Sequence, residues 1–400
     1  MKRENFCPLM EGPLAPLAIG FRDELRAQGY SQSWSIMQLR LLRHLSRWLA
    51  NEKLDASSLN VDVLTEFSSV RLAQGGAASH GPLPGGPLIR FLRAQGCLAQ
   101  VAAPLESPVD VLVNRFCRHL ILERGLQPGT IKNYEHAART FLQVVGPEMH
   151  LDTLDARQVT RFVVQEAGRR SAVSAATVVV GLRSFLRFAY VEGLTTQQLD
   201  SAFPAVPRWR AGALPRSIDP GDVRRLLSSC DRRTAVGRRD HAIILCLWRL
   251  GLRAGEVVAM RLDDLDWCAG EIVVHGKGAR DERLPLPVEV GESIAAYVQR
   301  GRPRHESRSV FLRAIAPFDA LSGSGVRWVV YLACDRSGLK RVGTHCLRHT
   351  TAAHLLTRGA SFEEVAQVLR HRSIDTTAIY SKIDLRRLSA VAQPWPGSAS

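Results

Sequence analysis

The sequence predicts a mainly α protein with a small antiparallel β-sheet. Three observations carry that reading. Apolar residues recur every three and four positions through runs such as VDVLVNRFCRHLILERG and RRDHAIILCLWRLGL, the period of a helix with one buried face. Stretches rich in proline and glycine, GGAASHGPLPGGP at 75–87 and FPAVPRWRAGALPRS at 203–217, cut the chain into groups of such runs. Two short β-patterned runs, EIVVH at 271–275 and RLPLP at 283–287, flank the polar turn GKGARDE. Four hundred residues, 46% hydrophobic and 23% charged, can bury more than one core.

Between 105 and 195 four helices are expected in order. After VDVLVNRFCRHLILERG, the run TIKNYEHAARTFLQVV is opened by Pro128-Gly129, DARQVTRFVVQEAG is capped by Asp155, and a last run closes in RSFLRFAYVEG. Residues 1–100 echo this module. FRDELRAQGYS near 21 parallels FCRHLILERGLQ near 116, and PLIRFLRAQGC at 87–97 parallels RSFLRFAYVEG at 183–193, a spacing near 96. We read 1–100 as a helical module that is a degenerate copy of the one at 105–195. Residues 196–215 form a linker. A mixed domain follows over 216–390, opened by Asp219 and Pro220, with a long apolar helix around IILCLW, a short helix from Arg253, the hairpin, and helical patterns at 289–299, 322–337, 345–357 and 362–370. Residues 391–400 read as a flexible tail.

The chain holds 53 Lys and Arg against 38 Asp and Glu, a net +15, and residues 210–400 alone carry 30 against 20. Such an excess is the electrostatic footprint of a polyanion partner. The eight cysteines include no C-x-x-C pair, so neither a disulfide framework nor a cysteine zinc site is expected. The longest unbroken apolar stretches, such as IILCLW at 243–248, fall short of a membrane span of ~20 residues. The prolines at 8, 13 and 16 with Glu11 interrupt any signal-like apolar region, and a cytoplasmic protein without a membrane segment is expected.

The chemistry concentrates in HCLRHTTAAHLLTRGASFEEVAQVLRHRSIDTTAIYSKID at 345–384. His345 and His349 have the spacing of a zinc pair, but position 346 is Cys where a hydrolytic zinc site needs Glu. No metal and no cofactor are expected. Phosphate chemistry fits better. Arg348 and Arg253 supply planar forks suited to phosphate, although Arg253 taken alone reads better as a salt partner of Glu256 three residues on. His349 and His354 are expected to be structural.

Taken together, GLRAGEVVAMRLDDLDW, VVHGKGARDERLPLP, HCLRHTTAAHLL and LRHRSIDTTAIYSKID, in this order and at these intervals, resemble the tyrosine recombinases, which include phage integrases and Xer recombinases. The resemblance implies a helical core-binding, SAM-like DNA-binding domain at 105–195 and a mixed α/β catalytic domain at 216–390, forming a clamp around double-stranded DNA. It implies that Arg253, Lys277, His345, Arg348 and His371 bind the scissile phosphate, with Lys277 as general acid, and that Tyr380 is the nucleophile. In the family the tail after the tyrosine docks on a neighbouring protomer. That implies a homotetramer, or a hetero-assembly with related recombinases, on two DNA sites. One departure stands out: the family has Gly before the second histidine, and this chain has Arg370, which becomes a candidate for DNA contact beside Lys132, Arg139, Arg183 and Arg187 of the helical module.

The expected function is therefore site-specific recombination for a mobile element, as an integrase or transposase. Chromosome-dimer resolution by the same chemistry is the nearest alternative. A type IB topoisomerase would relax supercoils without a preferred site, and a non-catalytic accessory protein would bind DNA without joining strands.

Overall fold

The computed structural model describes residues 10–73, 86–98, 107–146, 151–203, 217–276 and 280–370. The chain divides into two compact units, residues 1–97 with 213–400, and residues 98–212.

The first unit begins with four helices, α1 (Ala18–Ala27), α2 (Gln32–Asn51), α3 (Val61–Ala73) and α4 (Pro87–Ala94). Ser31 caps α2 by accepting the Trp34 amide, and Asn60 accepts the Val63 amide at the start of α3. Phe21 and Phe91 pack with ring centroids 4.9 Å apart. Gly29 turns the chain after α1 at φ +77°, and a Cβ there would overlap the Phe318 ring. The first helices thus touch the later part of their own unit.

The second unit holds α5 (Pro108–Leu122), α6 (Pro128–Val145), α7 (Ala156–Arg169) and α8 (Ala172–Val191). Capping boxes at Ser107/Asp110 and Asp155/Gln158 open α5 and α7. Phe116, Phe141, Phe162, Phe185 and Phe188 form its aromatic core, with Phe116 5.4 Å from Phe185 and 5.3 Å from Phe188. At Gly181 α8 crosses α6 so closely that a Cβ would stand 2.8 Å from that of Ala137. By length and composition α8, expected as a helix, could also cross a membrane, which its sequence did not lead us to expect. Ten of its residues are buried, most of them packed in this aromatic core, and 56% of its apolar window lies inside the protein.

From residue 217 the first unit resumes. Asp219 accepts the Gly221 amide at 2.6 Å to open α9 (Pro220–Ser228), and the long α10 (Ala235–Arg249) runs through the core, burying every residue from Ala242 to Trp248. α11 (Ala254–Ala259) leads into a three-stranded antiparallel sheet, β1 (Leu265–Asp266), β2 (Glu271–Gly276) and β3 (Arg280–Pro285), in the order β1-β2-β3. Ile272 pairs with Leu284 and Glu271 with Pro285, so β3 begins three residues before the expected run. Four helices follow: α12 (Val288–Arg300), α13 (Gly323–Arg336), α14 (Thr344–Thr357) and α15 (Phe362–Val368). The core gathers Ile243, Leu247, Ile272, Ile294, Val330 and Leu347, from four of these helices and the sheet. The fold is mainly helical with a small antiparallel sheet, as its periodicities predict.

Candidate active site

Gly251 ends α10 at φ +56°, and its bare Cα lets the turn lie against Leu369, whose Cδ2 would stand 2.6 Å from any Cβ. That contact brings two carbonyls from distant segments to one place. Arg348, on α14 and only 4% exposed, donates Nη1 to the Gly251 carbonyl and Nη2 to the Leu369 carbonyl. A buried guanidinium costs little when its donors are met in this way. Thr351, three residues past Arg348 on the same helix, ties α14 to α10 by donating to the Trp248 carbonyl.

Arg253 stands at the N-cap of α11. Glu256, at the third helical position, accepts its amide at 2.8 Å and its Nη1 at 2.6 Å. The salt pair considered from sequence is therefore present, and it holds the Arg253 side chain with 36% of its surface still exposed. A second cation shares the same carboxylate: Arg370 Nη2 lies 2.9 Å from Glu256 Oε2, and its side chain is 3% exposed. Arg253 Nη2 in turn reaches the Arg370 carbonyl at 3.4 Å. Burial pushes the Glu256 carboxyl up, but the Arg253 amide, the Arg370 charge and the Arg253 guanidinium outweigh it and hold the group below the ordinary range. Arg370, named from sequence as a candidate for DNA contact, has its guanidinium turned inward onto Glu256.

His345, at the start of α14, has an accessible edge. Partial burial, then the charges of Arg348, Arg253 and Arg327, push its pKa below the usual imidazole value, with Glu256 opposing. The ring is neutral at neutral pH and can donate one hydrogen bond without adding charge. The same field identifies Arg327, exposed on α13, as a cation near the site that no sequence motif singled out. His349 is part-buried, and its pKa is lowered by burial, His345 and Arg348.

Lys277, His371 and Tyr380 lie outside the described residues. The hairpin is described as far as Gly276 and again from Arg280. Its stem holds His275, whose Nδ1 lies 2.6 Å from Asp281 and Nε2 2.9 Å from Asp264. Sequence reading missed this residue, since nothing local announces the two carboxylates.

In the helical unit the expected DNA-contact arginines have internal partners. Arg139 pairs with Asp110 at 2.5 Å and Glu135 at 3.4 Å. Arg183 donates to the Phe203 carbonyl at 2.7 Å and lies over that ring, and Arg187 pairs with buried Asp200 at 2.7 Å. Lys132 is exposed on α6.

A preorganised set of arginines with a neutral histidine is suited to the charge of a phosphodiester. Similarity to known proteins gives the family. The phage integrase family pattern matches residues 216–387, and its N-terminal SAM-like domain matches 113–193. An integrase/recombinase of Sinorhizobium fredii (y4rA) is 41% identical over 97% of this chain and 96% of its own. The chain belongs to the tyrosine recombinase (phage integrase) family. It is a DNA breaking and rejoining enzyme. The tyrosine recombinase XerD of Listeria monocytogenes is 32% identical, covering 70% of this recombinase and 96% of XerD. Among solved structures, XerH bound to palindromic difH matches with a TM-score of 0.57 at 18% identity over 73% of this chain and 98% of its own. A lambda integrase dimer on a COC' core site matches with a TM-score of 0.54 at 17% identity over 83% and 87%. These likenesses confirm the fold of the recombinase.

Proposed function

We propose that this recombinase is the integrase or transposase of a mobile element, cutting and rejoining DNA through a 3′-phosphotyrosyl intermediate. The observation that carries the choice is coverage: the integrase/recombinase of Sinorhizobium fredii aligns over 97% of the chain, first hundred residues included, whereas XerD aligns over nearly all of itself yet only 70% of this chain. The transposon integrase of Tn1549, solved with circular intermediate DNA, shares the fold at a TM-score of 0.54 and 16% identity, covering 70% of this chain. The 32% identity with XerD keeps chromosome-dimer resolution as a second reading.

In this reading Arg253 and Arg348 grip the non-bridging oxygens, and His345 and His371 donate hydrogen bonds to them. The Tyr380 oxygen attacks phosphorus in line as its proton passes to solvent water. The bond to the 5′ oxygen breaks, and Lys277 supplies the proton that makes it a hydroxyl. The bond energy is kept in the phosphotyrosine, so a 5′ hydroxyl from another strand can reverse the step without a cofactor. A homotetramer on two sites would place two strands for exchange. A lambda integrase tetramer on a Holliday junction, with a TM-score of 0.54, supports that assembly.

A nicked suicide duplex tests the mechanism. Tyr380→Phe should bind it but form no covalent adduct, and an adduct persisting in that variant would move the nucleophile elsewhere. Lys277→Ala should be slow on ordinary DNA yet recover on a substrate with sulfur at the bridging 5′ position, since a thiolate leaves without a proton. Adducts mapped on DNA flanking the gene decide between the readings: ends of an element support the proposal, a single chromosomal site supports dimer resolution.

A further inference from the structure

Between α2 and α3 in the first helical module lies a cavity of about 300 Å³ lined by His44, Arg47, Trp48, Asn51, Phe67 and Arg71. Trp48 and Phe67 pack at 5.7 Å along its apolar side. His44 and Arg47 are exposed and Arg71 is half-buried. The three basic groups are close enough to feel one another: besides burial, the charges of Arg71, Arg43 and Arg47 push the His44 pKa down. Three basic groups around one apolar wall make a concave surface of positive potential, the kind that attracts anions.

We propose that this cleft binds a phosphate of the DNA backbone, so that the first module grips duplex outside the segment held by the rest of the enzyme. Comparison with the second module shows that the charge is not a by-product of packing. α2 and α6 begin at 32 and 128, α3 and α7 at 61 and 156, and α4 and α8 end at 94 and 191. The Asn60 cap on Val63 recurs as Asp155 on Gln158, and the Phe21–Phe91 contact recurs as Phe116–Phe188. In that register His44, Arg47 and Arg71 correspond to Thr140, Gln143 and Glu166, and Trp48 to exposed Val144. Glu166 is instead buried and paired to Arg170 at 2.5 Å. The two modules share their apolar frame and differ in this cleft, where one has acquired three basic groups and the other a carboxylate. Guanidinium forks flanking an apolar wall suit a phosphodiester, whose two free oxygens accept them while the sugar lies on the ring.

The proposal rests on the recombinase acting on duplex DNA. Its test uses the full-length protein with a core-site duplex, with and without about 20 base pairs of flanking DNA, and measures affinity against salt for wild type, Arg47→Gln and Arg47→Gln/Arg71→Gln. On the extended duplex the slope of log affinity against log salt should fall by about 1 for the single variant and about 2 for the double. Hydroxyl-radical protection of the flank should weaken with it. Slopes and protection equal to wild type, in variants that melt at the wild-type temperature, would overturn the proposal. Weaker competition by inorganic phosphate with an unchanged flank footprint would also overturn it, assigning the cleft to a free anion. If Arg71→Gln disturbs folding, the exposed Arg47 variant alone decides. Adduct formation on the core duplex keeps the two readings apart, because it persists if the cleft proposal fails and is lost everywhere if the recombinase reading fails.

Discussion

Arg370 carries a side chain at φ +54°, a backbone region that glycine enters freely and other residues at a cost of about 1 kcal/mol or more. It is retained there by Glu256, which would otherwise have Arg253 as its only cation among the contacts described. Arg370→Ala and Arg370→Gly should both lower stability, because a buried carboxylate loses one partner, a loss on the order of 3 kcal/mol. Glycine relieves the backbone, so its variant should be the more stable of the two by about 1 kcal/mol in urea unfolding. Equal stabilities would show that the strain is not there. Arg253→Ala and Arg348→Ala should each slow cleavage by ~10² or more. Arg348→Ala should also lower the melting temperature markedly, because it strands the buried Gly251 and Leu369 carbonyls at about 1–3 kcal/mol each. Sequence showed that Arg370 departs from the family pattern. It could not show that the guanidinium turns inward, since Glu256 stands 114 residues away.

At the scale of elements, the β2–β3 hairpin is held at its stem by His275 between Asp281 and Asp264. The hydrogen bond to Asp281, then that to Asp264, raises the His275 pKa above its usual value of 6.5. A raised imidazole pKa stabilises the fold in its protonated form. The contribution is fully present below about pH 6.5 and is lost as pH rises through the folded value. Amide exchange across 271–276 and 280–285, corrected for intrinsic rates, should therefore accelerate as pH rises above 6.5 and should be flat with pH in His275→Gln. A wild-type hairpin equally protected at pH 6 and pH 9 would refute the clamp. The helices themselves were legible because their caps are local: Asp155, Asp219 and Pro128 stand one to three residues from the amides or turns they serve. The start of β3 was not, because Arg280, Asp281 and Glu282 look like turn residues until Gly276, His275 and Val274 pair with them.

Across the whole molecule, the first four helices are grouped with residues 213–400, and Gly29 is where they meet the Phe318 ring. Gly29→Ala adds a methyl at φ +77° against that ring, so it should destabilise the protein by about 1 kcal/mol or more and open the junction. Limited proteolysis should then release the first hundred residues faster than from wild type. Unchanged cleavage would show that the ring yields without cost. Deleting residues 1–100 should leave a protein that still forms the covalent adduct, with weaker or less selective DNA binding. An insoluble product would show that the module is part of the catalytic fold.

Residues close together in the chain determined what the sequence could say alone: the helical periods, the caps, the recurrence near 96 and the ordered motifs that mark a tyrosine recombinase. All of these are written within a turn or two of helix, or in the linear order of short motifs. The tertiary structure decided which charges face each other. It placed Arg370 and Arg253 on one glutamate, turned Arg139, Arg183 and Arg187 toward internal partners, and gathered His44, Arg47 and Arg71 around one cleft. A guanidinium reads the same in sequence whether it meets solvent, a carboxylate or a phosphate, and only the packing of distant segments selects among them.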